Sequence, residues 1–286
     1  MSARRRTGTA LAAAAFLLLP SCRFGLDYSG DESGLERATL DVEQPEGARL
    51  SYLSAGDDAD PRLLFVHGSP GSAAYYDDYM HAPIEGLRTI AVDRLGYGES
   101  FPHVAVTSFE QQAAAIAPLL EARRGRWPIV VGHSLGGPIA ARLAADDPER
   151  VGALVIVAGG LDPEQEKPRW YNRVASWRIV RPFLAEFLQV SNDEMFAAPG
   201  EVLELEGVLD RIQCPVVLVH GTSDRLVPYE NVGFMVRRFD ALERVYVVTL
   251  IGEDHSVTKL RIEEVREIVE GLRDGMVDLV DEEAGA

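Results

Sequence analysis

The fold of this chain is decided by the stretch Val130-Val131-Gly132-His133-Ser134-Leu135-Gly136-Gly137. It contains the pattern G-x-S-x-G, placed directly after an apolar run and at the start of a helical pattern. In that context the serine occupies a sharp strand-to-helix turn with a strained backbone, and Gly132 and Gly136 prevent steric clashes around it. The turn also leaves the first N–H groups of the helix unpaired near the serine hydroxyl. Ser134 is therefore the predicted nucleophile.

On both sides of this stretch, short apolar runs alternate with helical patterns. The runs are rich in β-branched residues, which is typical of strands buried on both faces, and lie at 63–66, 89–92, 129–131, 154–157, 216–219 and 245–250. The helical patterns lie at 109–123, 135–145 and 257–272. Two alternating segments, 38–43 and 48–54, indicate an opening antiparallel pair. Together they predict an α/β protein with an eight-stranded, mostly parallel sheet flanked by helices.

The alternation is interrupted at residues 161–207, which we interpret as a small helical insertion, or lid, in a core formed by 37–160 and 208–286. The insertion has no strand-like run but carries six aromatic residues: Trp170, Tyr171, Trp177, Phe183, Phe187 and Phe196. Most aromatic residues at helical spacing pack onto a core, and we expect the same for most of these. An aromatic lid also favours a medium-sized apolar acyl or alcohol group in the substrate.

Further motifs occur in a fixed order around the serine turn. They are His67-Gly68-Ser69-Pro70-Gly71, Asp93-Arg94-Leu95-Gly96-Tyr97-Gly98-Glu99-Ser100, His220-Gly221-Thr222-Ser223-Asp224 and Asp254-His255. With them the chain resembles the α/β-hydrolase fold superfamily, and specifically its lid-bearing, serine esterase-like members, from about residue 50 to residue 272. The resemblance implies the α/β-hydrolase fold, and for residues 93–100 chiefly a structural turn with no catalytic role. It is less specific for the reaction, because this fold hosts many chemistries.

A serine nucleophile needs a base, and the base needs an orienting acid. Among six histidines, His255 follows the last strand across a short turn, at the sheet edge where Ser134 lies, and the resemblance also places the base there. Asp224 follows the preceding strand and gives the chain order serine, aspartate, histidine that the resemblance implies. Asp162, after another strand, and Asp254, beside the histidine, are the alternative acids.

Backbone N–H groups are expected to stabilise the oxyanion. One should come from Leu135, the residue after the nucleophile. The second should come from the loop after the strand at 63–66, where Pro70 has no N–H and Ser69 is the candidate donor. The sequence has no H-E-x-x-H motif and no paired Cys/His spacing, so we expect no metal and no cofactor.

The amino-acid composition of the chain excludes some classes of binding partner. The chain of 286 residues has 28 Lys and Arg against 45 Asp and Glu, a formal charge of −17, and 47% hydrophobic residues. This is the profile of a soluble globular protein. An acidic surface repels phosphate backbones, so we expect no nucleic-acid partner. For the same reason the protein's own surface should not attract an anionic membrane. Two cysteines, Cys22 and Cys214, form no disulfide framework.

The N-terminus has the pattern of an export signal. Residues 1–21 combine a basic start with an apolar run at 10–19, which is shorter than the about 20 residues needed to span a bilayer. The stretch Leu19-Pro20-Ser21-Cys22 resembles a bacterial lipobox, which implies lipidation of Cys22 and a membrane-anchored protein of the cell envelope. An ordinary signal peptide, giving a periplasmic or secreted protein, is the alternative. The polar, glycine-rich sequence of residues 22–36 predicts a tether.

These patterns predict a serine hydrolase that cleaves an ester-like bond of a small apolar substrate through an acyl-enzyme on a Ser-His-Asp triad. Three alternatives remain open. The same triad serves acyltransferases and carbon–carbon bond hydrolases, and the third alternative is a non-catalytic, membrane-tethered binding protein of this fold.

Overall fold

A computed structural model describes residues 30–275 of the chain. Its centre is one eight-stranded sheet in the order β1-β2-β4-β3-β5-β6-β7-β8. The strands are β1 (Glu36–Asp41), β2 (Arg49–Ala55), β3 (Arg62–Val66), β4 (Arg88–Asp93), β5 (Ile129–His133), β6 (Ala153–Val157), β7 (Val216–Gly221) and β8 (Val245–Leu250). The pairs β1–β2 and β2–β4 are antiparallel, and all other neighbours are parallel. The predicted eight-stranded, mostly parallel sheet is confirmed.

Helices cover both faces of the sheet. They are α1 (Asp77–His81), α2 (Phe109–Ile116), α3 (Gly136–Asp146), α4 (Trp170–Ala175), α5 (Glu186–Glu206), α6 (Glu230–Arg238), α7 (Val257–Leu260) and α8 (Ile262–Asp274), with 3₁₀ turns at Ala73–Tyr76, Ala117–Leu119, Arg181–Phe183 and Leu209–Arg211. Helices α2, α3, α5 and α6 contribute to the apolar core on one face, and α1, α7 and α8 to the core on the other. Every residue of β3, β5, β6 and β7 is buried, as their continuous apolar runs predict.

Some boundaries differ from the sequence pattern. The helix expected at 109–123 ends at Ile116, because Pro118 lacks the N–H that would continue it. The helix expected at 257–272 is divided at Arg261, whose backbone is not helical (φ −125°, ψ 50°). Strand β8 is only partly buried, because it lies at the edge of the sheet and has a neighbour on one side only.

Residues 161–207 form helices and turns, including α4 and α5, and their role as a lid stays a prediction. The expectation that most of their aromatic residues pack onto the core is wrong, because four of the six are exposed: Trp170, Trp177, Phe183 and Phe196. The physical reason lies in how α4 is attached. Its inner side contacts α5 through polar groups, with Asn172 Nδ2 donating to Asn192 Oδ1 at 3.2 Å.

The predicted signal peptide at 1–21, the lipidation site Cys22 and the tether up to residue 29 lie outside the described residues. Between residues 30 and 275, no helix is long and apolar enough to cross a membrane. Cys214 is buried, and this burial raises the pKa of its thiol to about 12.

Candidate active site

The predicted nucleophile lies in a tight turn between β5, which ends at His133, and α3, which begins at Gly136. Ser134 has φ +53°, in the left-handed region that residues with side chains rarely adopt. A Cβ on Gly132 would overlap the backbone of Gly136, and a Cβ on Gly136 would overlap the carbonyl of Val66. The two glycines of the motif are therefore required by close backbone contacts that hold the serine in this conformation.

The structure brings the three predicted catalytic side chains together. His255 Nε2 lies 2.9 Å from Ser134 Oγ, and His255 Nδ1 lies 2.7 Å from Asp224 Oδ2. The serine follows β5, the aspartate follows β7 and the histidine follows β8, so all three lie at the carboxyl edge of the sheet. With Nδ1–H donating to the carboxylate, Nε2 is left to accept the proton of the serine hydroxyl.

The carboxylate of Asp224 is buried and held by several hydrogen bonds. Its Oδ1 accepts from the amides of Leu226 and Val227 at 2.8 and 2.9 Å. Burial alone would raise the pKa of Asp224, but hydrogen bonds from His220, His255 and the Val227 amide outweigh it and hold the pKa well below its ordinary value. Asp224 is therefore ionised at neutral pH, as required to orient an imidazole and stabilise its charged form.

The two alternative acids have other contacts. Asp162 Oδ1 and Asp254 Oδ1 each accept from the backbone amide two residues further along the chain, at 3.0 and 2.8 Å. Such bonds stabilise local turns. Asp224 is the carboxylate whose hydrogen bond to the ring of His255 is observed.

Two further histidines, for which no sequence pattern predicts a role, contact the predicted triad. His220 Nε2 donates to the carbonyl of Val227 at 3.0 Å and lies 3.5 Å from Asp224 Oδ2. His133 Nε2 donates to the backbone oxygen of His255 at 3.1 Å. Burial, and then the nearby His255, lowers the pKa of His133 to about 3, so this imidazole is neutral at physiological pH. Their positions next to the catalytic motifs were the only sequence signal for these roles.

The loop after β3 lies directly against the nucleophile. A Cβ on Gly68 would lie 2.8 Å from Ser134 Cβ and 3.3 Å from its Oγ, so the loop can approach this closely only with glycine there. The predicted oxyanion donors are the next residue, Ser69, and Leu135 beside the nucleophile. Neither backbone N–H donates a hydrogen bond to any residue of the described chain, which leaves both available to a substrate oxygen.

The glycine-rich segment after β4 binds this same loop. Arg94 Nε donates to the carbonyl of His67 at 2.9 Å, and Arg94 Nη2 donates to the carbonyl of Gly68 at 2.8 Å. Arg94 Nη1 also pairs with Glu194 of α5 at 2.6 Å, with side-chain exposures of only 0% and 3%. The segment expected to be chiefly a structural turn therefore connects the loop of the oxyanion donors to α5.

The side chain of Ser69 joins this network. Its Oγ lies 3.0 Å from Tyr97 Oη and 2.9 Å from Ser191 Oγ on α5. Tyr97 donates in turn to Glu194 Oε2 at 2.6 Å. Burial, and then the charge of Glu194, raise the pKa of Tyr97, so its hydroxyl keeps its proton. No sequence pattern predicts these contacts of Arg94, Tyr97 and Glu194.

The structure brings together the predicted nucleophile, base, orienting acid and two N–H donors, which are the groups that acyl transfer to serine requires. Within residues 30–275, no group of three or more His, Cys, Asp or Glu side chains is placed to hold a metal ion.

Comparisons with known proteins agree with this fold. The family model of the alpha/beta hydrolase fold matches residues 61–189. The dihydrolipoyllysine-residue acetyltransferase component of the acetoin cleaving system of Cupriavidus necator is 32% identical over 46% of this chain, and the match spans 34% of that relative. An esterase of Mycobacterium tuberculosis is 26% identical, over 87% of this chain and 94% of its own. The solved structure of a thermophilic esterase superposes with a TM-score of 0.64 and 23% identity, covering 85% and 99% of the two chains.

The sheet order, the serine turn and these matches show the alpha/beta hydrolase fold. The chain is a hydrolase with esterase-like relatives.

Proposed function

We propose that the protein is a serine hydrolase that cleaves an ester-like bond of a small apolar substrate through an acyl-enzyme on Ser134. The observation that carries this proposal is the continuous hydrogen-bonded series from Ser134 Oγ through His255 to Asp224, with distances of 2.9 and 2.7 Å. The esterase among the relatives supports the same reaction class.

The proposed mechanism assigns one role to each group. His255 Nε2 takes the proton of Ser134 Oγ as the oxygen attacks the carbonyl carbon, and Asp224 stabilises the resulting imidazolium. The N–H groups of Ser69 and Leu135 stabilise the oxyanion. When the tetrahedral intermediate collapses, the imidazolium returns its proton to the leaving alcohol. Water then attacks the acyl-enzyme with His255 again as base, and Ser134 is restored.

We propose in addition that residues 161–207 act as a lid. Ser191 of α5 contacts Ser69, and Glu194 of α5 pairs with Arg94, so this insertion adjoins the loop of the oxyanion donors. The N-terminal sequence supports export, with a membrane anchor on lipidated Cys22.

The test uses p-nitrophenyl esters of rising acyl length and three proteins: the parent, Ser134→Ala and Ser33→Ala, an exposed serine on the first turn of the described chain. We expect kcat to fall by at least about 10⁴-fold in Ser134→Ala and to be unchanged in Ser33→Ala. A fluorophosphonate should label the parent and Ser33→Ala but not Ser134→Ala. Turnover that survives in Ser134→Ala, or a parent that neither turns over esters nor takes the label, would contradict the proposal.

A further inference from the structure

One short part of this acidic chain is rich in positive charge. Residues 167–184, which we call the basic segment, carry five of the 28 lysines and arginines and no aspartate or glutamate. The five are Lys167, Arg169, Arg173, Arg178 and Arg181. The formal charge of −17 predicts a surface that anionic membranes repel. The basic segment differs from the rest of the chain because its local charge is positive.

The same segment exposes large apolar side chains. Trp170, Trp177, Ile179 and Phe183 are 63%, 55%, 76% and 69% exposed. Scattered single apolar residues are common on protein surfaces, but several large ones within one short segment indicate an interaction site. Because these residues alternate with arginines along the chain, the surface is both apolar and basic.

Polar contacts with α5 hold the inner side of the basic segment and leave its outer side in solvent. Asn192 Nδ2 on α5 donates to Ser176 Oγ at 2.8 Å. Arg181 donates two hydrogen bonds to Asp193 on α5, at 2.6 and 2.7 Å. Lys167, Arg173 and Arg178 are exposed, and none of them forms an ion pair with another residue of the described chain. Their charges are therefore available to an external partner.

We propose that the basic segment docks the protein on an anionic lipid surface. Lys167, Arg173 and Arg178 would lie at the lipid phosphates. The exposed tryptophans, Ile179 and Phe183 would lie in the interfacial layer beneath them. Aromatic and basic residues in one exposed segment are typical of surfaces that bind in this layer. The acidic remainder of the chain repels the same membrane, so it orients the protein with this segment towards the lipid.

This docking is distinct from the expected anchor on Cys22. A lipid on Cys22 would hold the chain at its N-terminus, whereas the basic segment would determine which face of the folded protein lies on the lipid. Helix α5 also connects the docking surface to the candidate active site. Asn192 and Asp193 contact the basic segment. Ser191 contacts Ser69, and Glu194 pairs with Arg94, which binds the loop of the predicted oxyanion donors.

The test follows one position of the basic segment with a fluorescent probe. The full chain carries Cys22→Ser, so that no lipid is attached, and Ile179→Cys, labelled with the environment-sensitive dye NBD. The thiol of Cys214 is buried, and its raised pKa of about 12 keeps it unreactive. The matched control carries the label at Leu203→Cys on α5, outside the segment and similarly exposed at 62%.

We expect the emission of the label at 179 to shift to the blue on vesicles of phosphatidylglycerol and phosphatidylcholine. It should not shift on vesicles of phosphatidylcholine alone, and the label at 203 should not shift on either. Each basic residue near an anionic leaflet strengthens binding by about fivefold. With Arg173→Glu and Arg178→Glu together, the vesicle concentration at half-shift should therefore rise at least about tenfold. The pair Arg211→Glu and Arg237→Glu makes the same change in net charge elsewhere on the exposed surface and should alter it by less than about twofold.

Three results would overturn the proposal. In the first, the chain sediments with the vesicles while the label at 179 stays in water, so that the N-terminus alone holds it there. In the second, the shift is equally large on phosphatidylcholine alone, or at position 203. In the third, a single-stranded oligonucleotide gives the same shift as the anionic vesicles, which would indicate a nucleic-acid partner instead.

Discussion

At the scale of single residues, Gly68 determines how closely the loop after β3, which carries the proposed oxyanion donor Ser69, approaches the proposed nucleophile Ser134. An alanine Cβ there would lie 2.8 Å from Ser134 Cβ and 3.2 Å from the backbone oxygen of His133, so the loop or the serine must move. We expect Gly68→Ala to lower kcat by about 10- to 100-fold, because small displacements of reacting groups have effects of that size. The measurement is steady-state ester hydrolysis, together with the rate of fluorophosphonate labelling.

Gly200→Ala is the matched control for this prediction. Gly200 lies in α5 with no atom within 4 Å of an added Cβ, and its φ is not in the left-handed region. Alanine should leave kcat unchanged and raise the free energy of unfolding by roughly 0.5–1 kcal/mol, because glycine is the poorer helix former. Equal activity in Gly68→Ala and the parent would show that the loop does not constrain the nucleophile.

The residues around the site differ in how far the sequence could reveal them. Ser134, Asp224 and His255 each follow a strand within a short local motif, so pattern and chain order were enough to predict that they meet. Arg94 and Glu194 are 100 residues apart, and no local pattern pairs them. A charged residue within a glycine-rich turn looks the same in sequence whether it is exposed or, like Arg94, fully buried.

At the scale of elements, two adjacent residues of α5 form ion pairs in very different surroundings. Glu194 pairs with Arg94 in the interior, whereas Asp193 pairs with Arg181 where both side chains are over one-third exposed. Glu194→Gln leaves the buried guanidinium without its counter-charge, so the free energy of unfolding should fall by about 3–5 kcal/mol. Asp193→Asn should lower it by less than about 1 kcal/mol. Urea denaturation of the two variants measures the difference.

The buried ion pair between Glu194 and Arg94 should also affect activity, because it positions the loop that carries the Ser69 amide. Because Arg94 binds the carbonyls of His67 and Gly68, loss of Glu194 frees the loop that carries the Ser69 amide. Glu194→Gln should therefore lower kcat more than it changes KM, and Glu194→Asp should restore part of it. If Glu194→Gln and Asp193→Asn were equally stable, the internal pair would have no special role.

Elements were predictable to different degrees, for physical reasons. The central strands appear in the sequence as continuous apolar runs, and the opening pair appears as two alternating segments. All eight strands were therefore located to within a few residues of their bounds. Helix ends depend on single residues such as Pro118. The orientation of the aromatic residues in 161–207 could not be predicted, because an apolar stripe has the same spacing whether it faces a core or another partner.

At the scale of the whole molecule, two buried histidines couple folding to pH. Burial, and then the charge of Arg94, hold the pKa of His67 well below its ordinary value, and burial lowers the pKa of His133 to about 3. In the unfolded chain both histidines take up a proton near pH 6.5, whereas in the folded protein they stay neutral to lower pH. As the pH falls, the unfolded chain therefore binds more protons than the folded protein and is favoured. This contribution to stability is complete above pH 6.5 and is lost progressively below it. The lowered pKa of Asp224 adds a loss that begins only as the pH falls through its ordinary value of 3.8.

We therefore expect each of these histidines to lower the free energy of unfolding by about 2 kcal/mol between about pH 7 and pH 5, as measured by urea denaturation. The absolute stability of His133→Asn will differ from that of the parent. Between pH 7 and pH 5, however, its free energy of unfolding should fall by about 2 kcal/mol less than in the parent, because asparagine cannot take up a proton on unfolding. His103→Asn is the control, since His103 is exposed and the fall should be unchanged. The same pH dependence in His133→Asn and the parent would mean that His133 is not held neutral by the fold.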